Sequence, residues 1–389
     1  MEYGNAEVVL NKESKKLILD SIRHNKPAKI PMMYRGEPSL NNKLLDYFGL
    51  GPIEENWDKL VELLGADNYS DGETLGGFTT YFPDYTGPDF NTVFEINRFD
   101  IWGIRPVEIY SGEDRNIVFS EKPPMADMND VDDICKYPFP RLEWFDFSVY
   151  RNNSEQKEYR SHKEQQKIEL KDFKKSDLYF LNTSCMNSLF MISTYLRGIE
   201  KFFMDLILNE KYARTLLDKI GEFIVLFNEK NLKSIGKHID LYGIWDDFAD
   251  QSSLMISPDL WRKYFKGWYK ILIDEAKKYD LLVCFHVCGS CVEIIGDLIE
   301  MGVDILDPVQ VSAKNMNFEN LKKNFGKDIC FHGGIDSQKF LPFAKPEEVT
   351  SEIKRIKKLF CDDGGLILGP SHYLTPDIPL ENIIAMYKN

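Results

Sequence analysis

The 389-residue chain lacks the features of a membrane or exported protein. No stretch approaches the roughly 18 consecutive apolar residues that a membrane-spanning helix requires. Residues 1–20 mix polar, acidic and basic side chains and do not resemble a signal peptide. These absences predict a cytoplasmic protein without a membrane partner.

An excess of positive charge is also missing. The chain has 48 lysines and arginines against 62 aspartates and glutamates, a formal net charge of −14. An acidic surface repels phosphate backbones, so nucleic acid is not an expected partner. The composition is 43% hydrophobic and 28% charged, which excludes a mostly disordered chain and indicates a sizeable core.

Cysteine is sparse, with seven in the whole chain. In a chain of this length without an export signal, thiols are expected to be reduced, and some can serve as metal ligands. Four of the seven lie between Cys284 and Cys330, so we expect the chemistry to concentrate there.

No Gly-x-Gly-x-x-Gly follows an early strand, which argues against a dinucleotide-binding fold. From Asp177 onward, short apolar runs alternate with helical segments, which predicts parallel strands with right-handed crossovers. About eight such runs favour a (β/α)8 TIM barrel, an α/β fold, over an open sheet. We predict one barrel domain over 1–389 with an irregular insertion at about 70–175, formed by β-hairpins over 70–150 and an exposed helix or linker over 151–175.

Individual elements can be predicted from the same pattern. The predicted helices are 13–24, 187–208, 210–235, 257–278, 292–301, 317–325, 346–360 and 381–387. The predicted strands are 30–34, 177–181, 239–245, 281–285, 303–306, 328–331 and 365–368, with short alternating runs such as 92–96 in the insertion.

In a barrel, the carboxyl ends of the strands form the active face. The side chains that follow the apolar runs are therefore the candidate site. They are Arg35, Asp246, Asp247, His286, Cys288, Asp307, Gln310, His332, Asp336, Ser371 and His372.

The most specific local pattern is His286-x-Cys288, because residues i and i+2 of a strand point to the same side. An imidazole and a thiolate can then share a zinc ion, with a third ligand from another strand. Among His372, Cys330, His332 and Cys291, His372 is the best placed. Simple packing explains the pair about as well on local grounds, and Cys284 is predicted to be a core residue.

Two aspartates, Asp246 and Asp247, are candidate catalytic groups that donate a proton, bind a substrate hydroxyl or orient a ligand histidine. The alternative is helix capping and loop solvation. Candidate substrate contacts are Arg35, Gln310, His332 and Asp336. Ordinary surface or turn roles remain open for them.

Several segments together resemble the uroporphyrinogen decarboxylase superfamily over nearly the whole chain. The matching segments are residues 26–31, 196–198, 245–247, 286–289, 302–310, 332–336 and 379–382. The resemblance implies a (β/α)8 barrel with its site in the mouth.

The superfamily has two chemical branches, and the chain is more similar to one of them. Metal-free decarboxylases carry an Arg-x-x-x-Arg loop near the N-terminus, of which only Arg35 remains here, next to a repulsive Glu37. Zinc methyltransferases carry His-x-Cys and a later cysteine. This chain has His286-x-Cys288 and, at the late position, His372.

The resemblance therefore implies a methyltransferase of the O-demethylase type, which moves a methyl group from a small donor, such as an aryl methyl ether, to a corrinoid. Zinc would be held by His286, Cys288 and His372. Because the chain has no cobalamin-binding Asp-x-His-x-x-Gly, the corrinoid would arrive on a partner protein. The alternatives are a metal-independent decarboxylase using Asp246 and Arg35, and a non-catalytic barrel that binds a tetrapyrrole or corrinoid.

Overall fold

The computed structural model describes most of the chain. The described residues are 14–67, 81–88, 100–104, 106–111, 114–119, 122–152, 167–169, 171, 180–182 and 187–388. The alternating run 92–96 within the predicted hairpin region lies outside them, as does most of the predicted exposed helix or linker 151–175.

The described elements are helices α1–α13 and strands β1–β11. The helices are α1 (14–22), α2 (Pro38–Phe48), α3 (Ile53–Leu64), α4 (Val131–Lys136), α5 (Leu189–Arg197), α6 (Ile199–Leu208), α7 (Glu210–Ile235), α8 (Pro258–Tyr264), α9 (Lys266–Lys277), α10 (Ile295–Met301), α11 (Phe318–Phe325), α12 (Pro346–Phe360) and α13 (Leu380–Tyr387). The strands are β1 (Tyr81–Tyr85), β2 (Pro106–Ser111), β3 (Asp114–Phe119), β4 (Phe145–Asn152), β5 (Lys167–Glu169), β6 (Phe180–Asn182), β7 (Leu241–Trp245), β8 (Leu282–His286), β9 (Ile305–Val309), β10 (Cys330–Ile335) and β11 (Leu366–Pro370).

A parallel sheet forms the centre of the molecule. Its order is β11-β10-β9-β8-β7-β6, with helices between successive strands from β6 onward. Two further segments continue it, since Met32 forms a parallel bridge with Leu368 and the backbone N–H of Asp67 donates to the Met32 carbonyl at 2.6 Å. The predicted α/β class is confirmed, and consecutive parallel strands are neighbours as a barrel requires.

The inner side of the sheet has its own apolar layer. Because side chains alternate along a strand, Leu282 and Cys284 point inward on the way to His286. This inner cluster is Met33, Leu241, Trp245, Cys284, Ile305, Cys330 and Ile367 together with Ile18 and Ile22 of α1. Ser21 of α1 donates to the carbonyl of Leu366, the first residue of β11, so α1 packs against the amino-terminal end of the sheet.

Several predicted boundaries differ from the structure. The helix predicted over 187–208 is divided at Gly198 and the one over 257–278 at Phe265, whose fully buried ring packs against Phe190. Strands β9 and β10 extend beyond their predicted ends at 306 and 331. The polarity of Asp307 and His332 indicates loops, but both side chains find buried partners and the backbone continues as strand.

The described parts of the insertion form small antiparallel sheets. Strands β2 and β3 pair with each other, as predicted for a hairpin, and β4 pairs with β1 and β5. Residues 167–169 are therefore strand, where a helix or linker is predicted. No helix among the described residues is long and apolar enough to cross a membrane.

Gly334 shows why β10 needs a small residue next to its outer helix. Its φ is +97°, and a Cβ atom there would lie 2.0 Å from Cζ of Phe318 on α11. The close neighbour of Gly334 is therefore the ring of Phe318 on α11.

We predict that Gly334→Ala lowers the free energy of unfolding by at least about 2 kcal/mol, because it combines a strained φ with an overpacked contact. Gly296→Ala, on the open side of α10, is the matched control and should be neutral or stabilising by up to about 1 kcal/mol. Urea unfolding measures both. Equal effects of the two substitutions would contradict the described contact at Phe318.

Candidate metal centre

Three polar side chains form a layer above the apolar interior of the sheet. They lie on adjacent strands, with His286 on β8, Asp307 on β9 and His332 on β10. Their exposed fractions are 5%, 1% and 4%, so all three are buried. Buried charges require partners, and these three residues supply partners for one another.

Asp307 accepts a hydrogen bond from each histidine. Its Oδ2 is 2.6 Å from Nδ1 of His286, and its Oδ1 is 2.5 Å from Nδ1 of His332. Burial alone raises a carboxyl pKa, but the two imidazoles outweigh burial and hold the pKa of Asp307 well below its usual range. Asp307 is therefore an ionised carboxylate enclosed by two ring N–H groups.

The remaining nitrogen of His286 faces a second group of donor atoms. Nε2 lies 3.4 Å from Sγ of Cys288 and 3.7 Å from Oδ1 of Asp247. One ligand atom from each of these three residues lies within 4.8 Å of the others. An imidazole nitrogen, a thiolate sulfur and a carboxylate oxygen are the donors that zinc takes in proteins.

The ring of His286 is held in place on two sides. Asp307 accepts from its Nδ1, and the indole of Trp245 stacks on it with ring centroids 4.5 Å apart and planes 13° apart. Both interactions leave Nε2 directed at Cys288. A carboxylate behind a ligand histidine fixes its tautomer and increases its basicity.

Cys288 is positioned by the backbone of the loop that follows β8. Its N–H donates to Oδ1 of Asp247 at 2.8 Å, and the N–H of Ser290 donates to the carbonyl of Asp250 at 2.7 Å. Gly289 between them has φ +99°, and a Cβ atom there would lie 2.4 Å from that carbonyl oxygen. The loops after β7 and β8 therefore approach so closely that only glycine fits.

His286 and Cys288 shift each other's pKa values. Burial raises the pKa of the Cys288 thiol, while His286 opposes that shift. Burial disfavours the charged imidazole of His286, but Cys288 and Asp307 outweigh it and raise its pKa. Perturbed pKa values concentrated at one place are typical of functional sites.

Asp246 has a different environment from its neighbour Asp247. It is fully buried and accepts from the N–H groups of Phe190 and Met191 at 2.6 and 2.8 Å and from the hydroxyl of Tyr269 at 2.5 Å. Burial raises its pKa to about 7, although these donors oppose the shift. Asp246 therefore joins the start of α5 to β7 and α9, while the side chain of Asp247 is 36% exposed and faces the donor group.

His372 lies at the rim, where it is exposed to solvent, and is not part of the three-residue group. Partial desolvation of its imidazole by the surrounding residues, together with the positive charge of Arg35, lowers its pKa to about 4. Arg35 is 8% exposed and its guanidinium lies 3.7 Å from the centre of the Tyr373 ring. The structure thus brings Asp247 to His286 and Cys288, where the sequence predicts His372.

The other candidates have structural partners. Gln310 is buried and accepts from Gln251 at 3.0 Å, and Asp336 accepts from two backbone N–H groups of its own turn. Cys284, Cys291 and Cys330 are fully buried, as core residues are expected to be.

Sequence patterns place Asp307 at a strand exit but do not reveal its double hydrogen bond, which depends on strand register. They also miss the stacking of Trp245 and the hydroxyl of Tyr269. The one available signal is a carboxylate in the run Ile305–Val309, where an isolated acidic residue needs a partner.

Comparisons with known proteins identify chains that are similar to this one. The family model described as uroporphyrinogen decarboxylase (URO-D) matches residues 183–389, more than half of the chain. Two methylcobamide:CoM methyltransferases named MtbA, from Methanosarcina acetivorans and Methanosarcina mazei, are each 22% identical over 206 and 204 residues, covering 51% of this chain and 56% of each relative. The chain spans about half the length of the curated relatives it matches.

A solved structure of a methyltransferase from Methanosarcina mazei covers 96% of this chain and 96% of its own, with a TM-score of 0.56 and 16% identity. At this identity the likeness shows a shared fold.

We predict that Asp246 and Asp247 contribute very differently to the free energy of unfolding. Asp246→Ala should lower the free energy of unfolding by about 3 kcal/mol or more, since each buried donor left without a partner costs about 1–3 kcal/mol. Asp247→Ala should change it by less than about 1 kcal/mol, because the side chain is partly exposed. Urea unfolding monitored by circular dichroism measures both, and similar losses would contradict the separate roles.

Proposed function

The chain belongs to the uroporphyrinogen decarboxylase family, and on that basis we propose that it is a zinc-dependent methyltransferase. It moves a methyl group between a small donor and a corrinoid carried by a partner protein. The observation that carries this proposal is the group formed by His286, Cys288 and Asp247. The names of the curated relatives, which are methyltransferases acting on a methylcobamide, support the corrinoid.

The donor set fits zinc. It offers one nitrogen, one sulfur and one oxygen, and leaves a further position for a substrate atom, as catalytic zinc sites do. Zinc bound there would supply a Lewis acid for the donor heteroatom. In this proposal Asp247 takes the position that the sequence assigns to His372, and His372 contacts the substrate at the rim.

The chain's own residues determine what the mouth can do. Asp307 and Trp245 fix the ring of His286, and Asp246 fixes the backbone that presents Asp247. When the methyl group leaves, its former heteroatom keeps the bonding electrons, so negative charge develops there. Arg35, at the mouth beside Tyr373, is the positive group that favours such charge.

The methyl donor is either an oxygen or a sulfur compound. The sequence favours an aryl methyl ether, because a site with one thiolate is less electron-rich than one with two. The relatives are named for methyl transfer between a methylcobamide and CoM, which adds CoM-type sulfur compounds as a second class of methyl partner. Both donor classes therefore belong in the assay.

Metal-free decarboxylation is less well supported. It requires Asp246 to reach a substrate, yet Asp246 is fully buried and its oxygens accept three hydrogen bonds. A non-catalytic barrel would not need a donor set aimed at one point.

Metal analysis tests the proposed centre. We expect about one zinc per purified chain, as in other three-ligand sites. Cys288→Ala and Asp247→Ala should each lose most of it, because each removes a ligand atom, whereas His372→Ala should retain it.

The variants also separate the competing assignments. Zinc lost from His372→Ala but kept by Asp247→Ala would make His372 the third ligand, as the sequence predicts. A metal-free wild-type chain that releases carbon dioxide from uroporphyrinogen would replace the methyltransferase proposal with the decarboxylase.

Methyl transfer can be followed by visible absorption, which distinguishes cob(I)alamin from methylcobalamin. We expect zinc-loaded protein to methylate free cob(I)alamin from either a methyl thioether or an aryl methyl ether. Loss of an outer hydrogen bond to a metal ligand lowers activity by roughly 10–100-fold. Because Cys288→Ala removes a ligand itself, it should slow the reaction by at least that factor. Equal rates in wild type and Cys288→Ala would exclude catalysis at this centre.

A further inference from the structure

The layer formed by His286, Asp307 and His332 depends on a local irregularity in β9. His286 is in register with Asp307, so their side chains are direct neighbours. Between β9 and β10, Leu306 pairs with Phe331 and Val309 with Gly333, so two residues of β9 lie opposite His332 alone. Such bulges redirect a side chain, and here the redirected residue is Asp307.

The hydrogen bonds specify the state of both rings. Each oxygen of Asp307 accepts from an Nδ1, so both histidines carry a proton on Nδ1. Asp307 is 1% exposed and has one carboxylate oxygen for each ring. If one ring is removed, one oxygen of a buried carboxylate loses its partner, and the carboxylate gains freedom to rotate.

From this arrangement we infer that His332 is a positioning residue for the metal centre: it holds Asp307 in the orientation in which the other oxygen accepts from Nδ1 of His286 and directs Nε2 at Cys288 and Asp247. The inference rests on the proposed function for its metal. His332 is not one of the three grouped donors, so it acts through Asp307 and not as a ligand.

Substitutions at His332 separate positioning from simple packing. His332→Leu fills the space but removes the N–H, whereas His332→Asn retains an N–H donor near the position of Nδ1. Ile367→Val is the packing control, because Ile367 is in register with His332 on β11 and fully buried but makes no hydrogen bond to Asp307.

Zinc affinity is measured by competition with a chromophoric chelator. His332→Leu should bind zinc about 10–100-fold more weakly than wild type, while His332→Asn and Ile367→Val should stay within about threefold. Cobalt(II) substituted for zinc gives a second signature, since its visible bands report ligand geometry and should shift in His332→Leu alone. Wild-type affinity and spectrum in His332→Leu would overturn the inference.

A readout without metal keeps the inference testable when zinc is absent. In ¹⁵N-histidine-labelled protein, the Nδ1 protons bound to Asp307 should give two slowly exchanging, far-downfield proton resonances. His332→Leu should remove the resonance of His332 and shift or broaden that of His286. His332→Asn should leave the His286 resonance unchanged. An unchanged His286 resonance in His332→Leu would overturn the inference. If the wild-type chain binds no zinc but His332→Leu still changes the His286 resonance, only the metal proposal is refuted.

Discussion

One buried carboxylate organises the mouth of the sheet. Asp307 is nearly inaccessible to water, so it is stable as an anion only because two imidazole N–H groups enclose it. Those bonds determine which nitrogen of His286 faces Cys288 and Asp247. The orientation of the ligand His286 is therefore determined by Asp307, which is not itself a ligand. Because Asp307 is buried, water does not compete for its hydrogen bonds.

Asp246 and Asp247 have different roles because consecutive side chains at the end of β7 point to opposite sides of the sheet. Asp246 points into the protein, where α5 and α9 supply donors, and Asp247 points into the mouth beside His286. A sequence with two consecutive aspartates does not reveal which side each takes. The distinction follows from the position at which β7 ends, at Trp245.

Much of the second half of the fold could be predicted from the sequence. Helices α7 and α12 have their predicted bounds, and the strand order follows from apolar runs separated by amphipathic segments. The prediction that His286 and Cys288 face one point agrees with their 3.4 Å separation, because it needs only the two-residue period of a strand. The choice between Asp247 and His372, and the pairing of Asp307 with His332, depend on register and a bulge, which are tertiary properties that local patterns do not encode.

The position of α1 bears on the order in which reactants can bind. Ile18 and Ile22 pack into the inner apolar layer at the amino-terminal end of the sheet, away from His286 at the carboxyl end of β8. If the donor and the corrinoid of the proposed reaction both approach from the carboxyl end, the smaller molecule has to bind before the larger one covers the site. Binding of the two reactants would then be ordered.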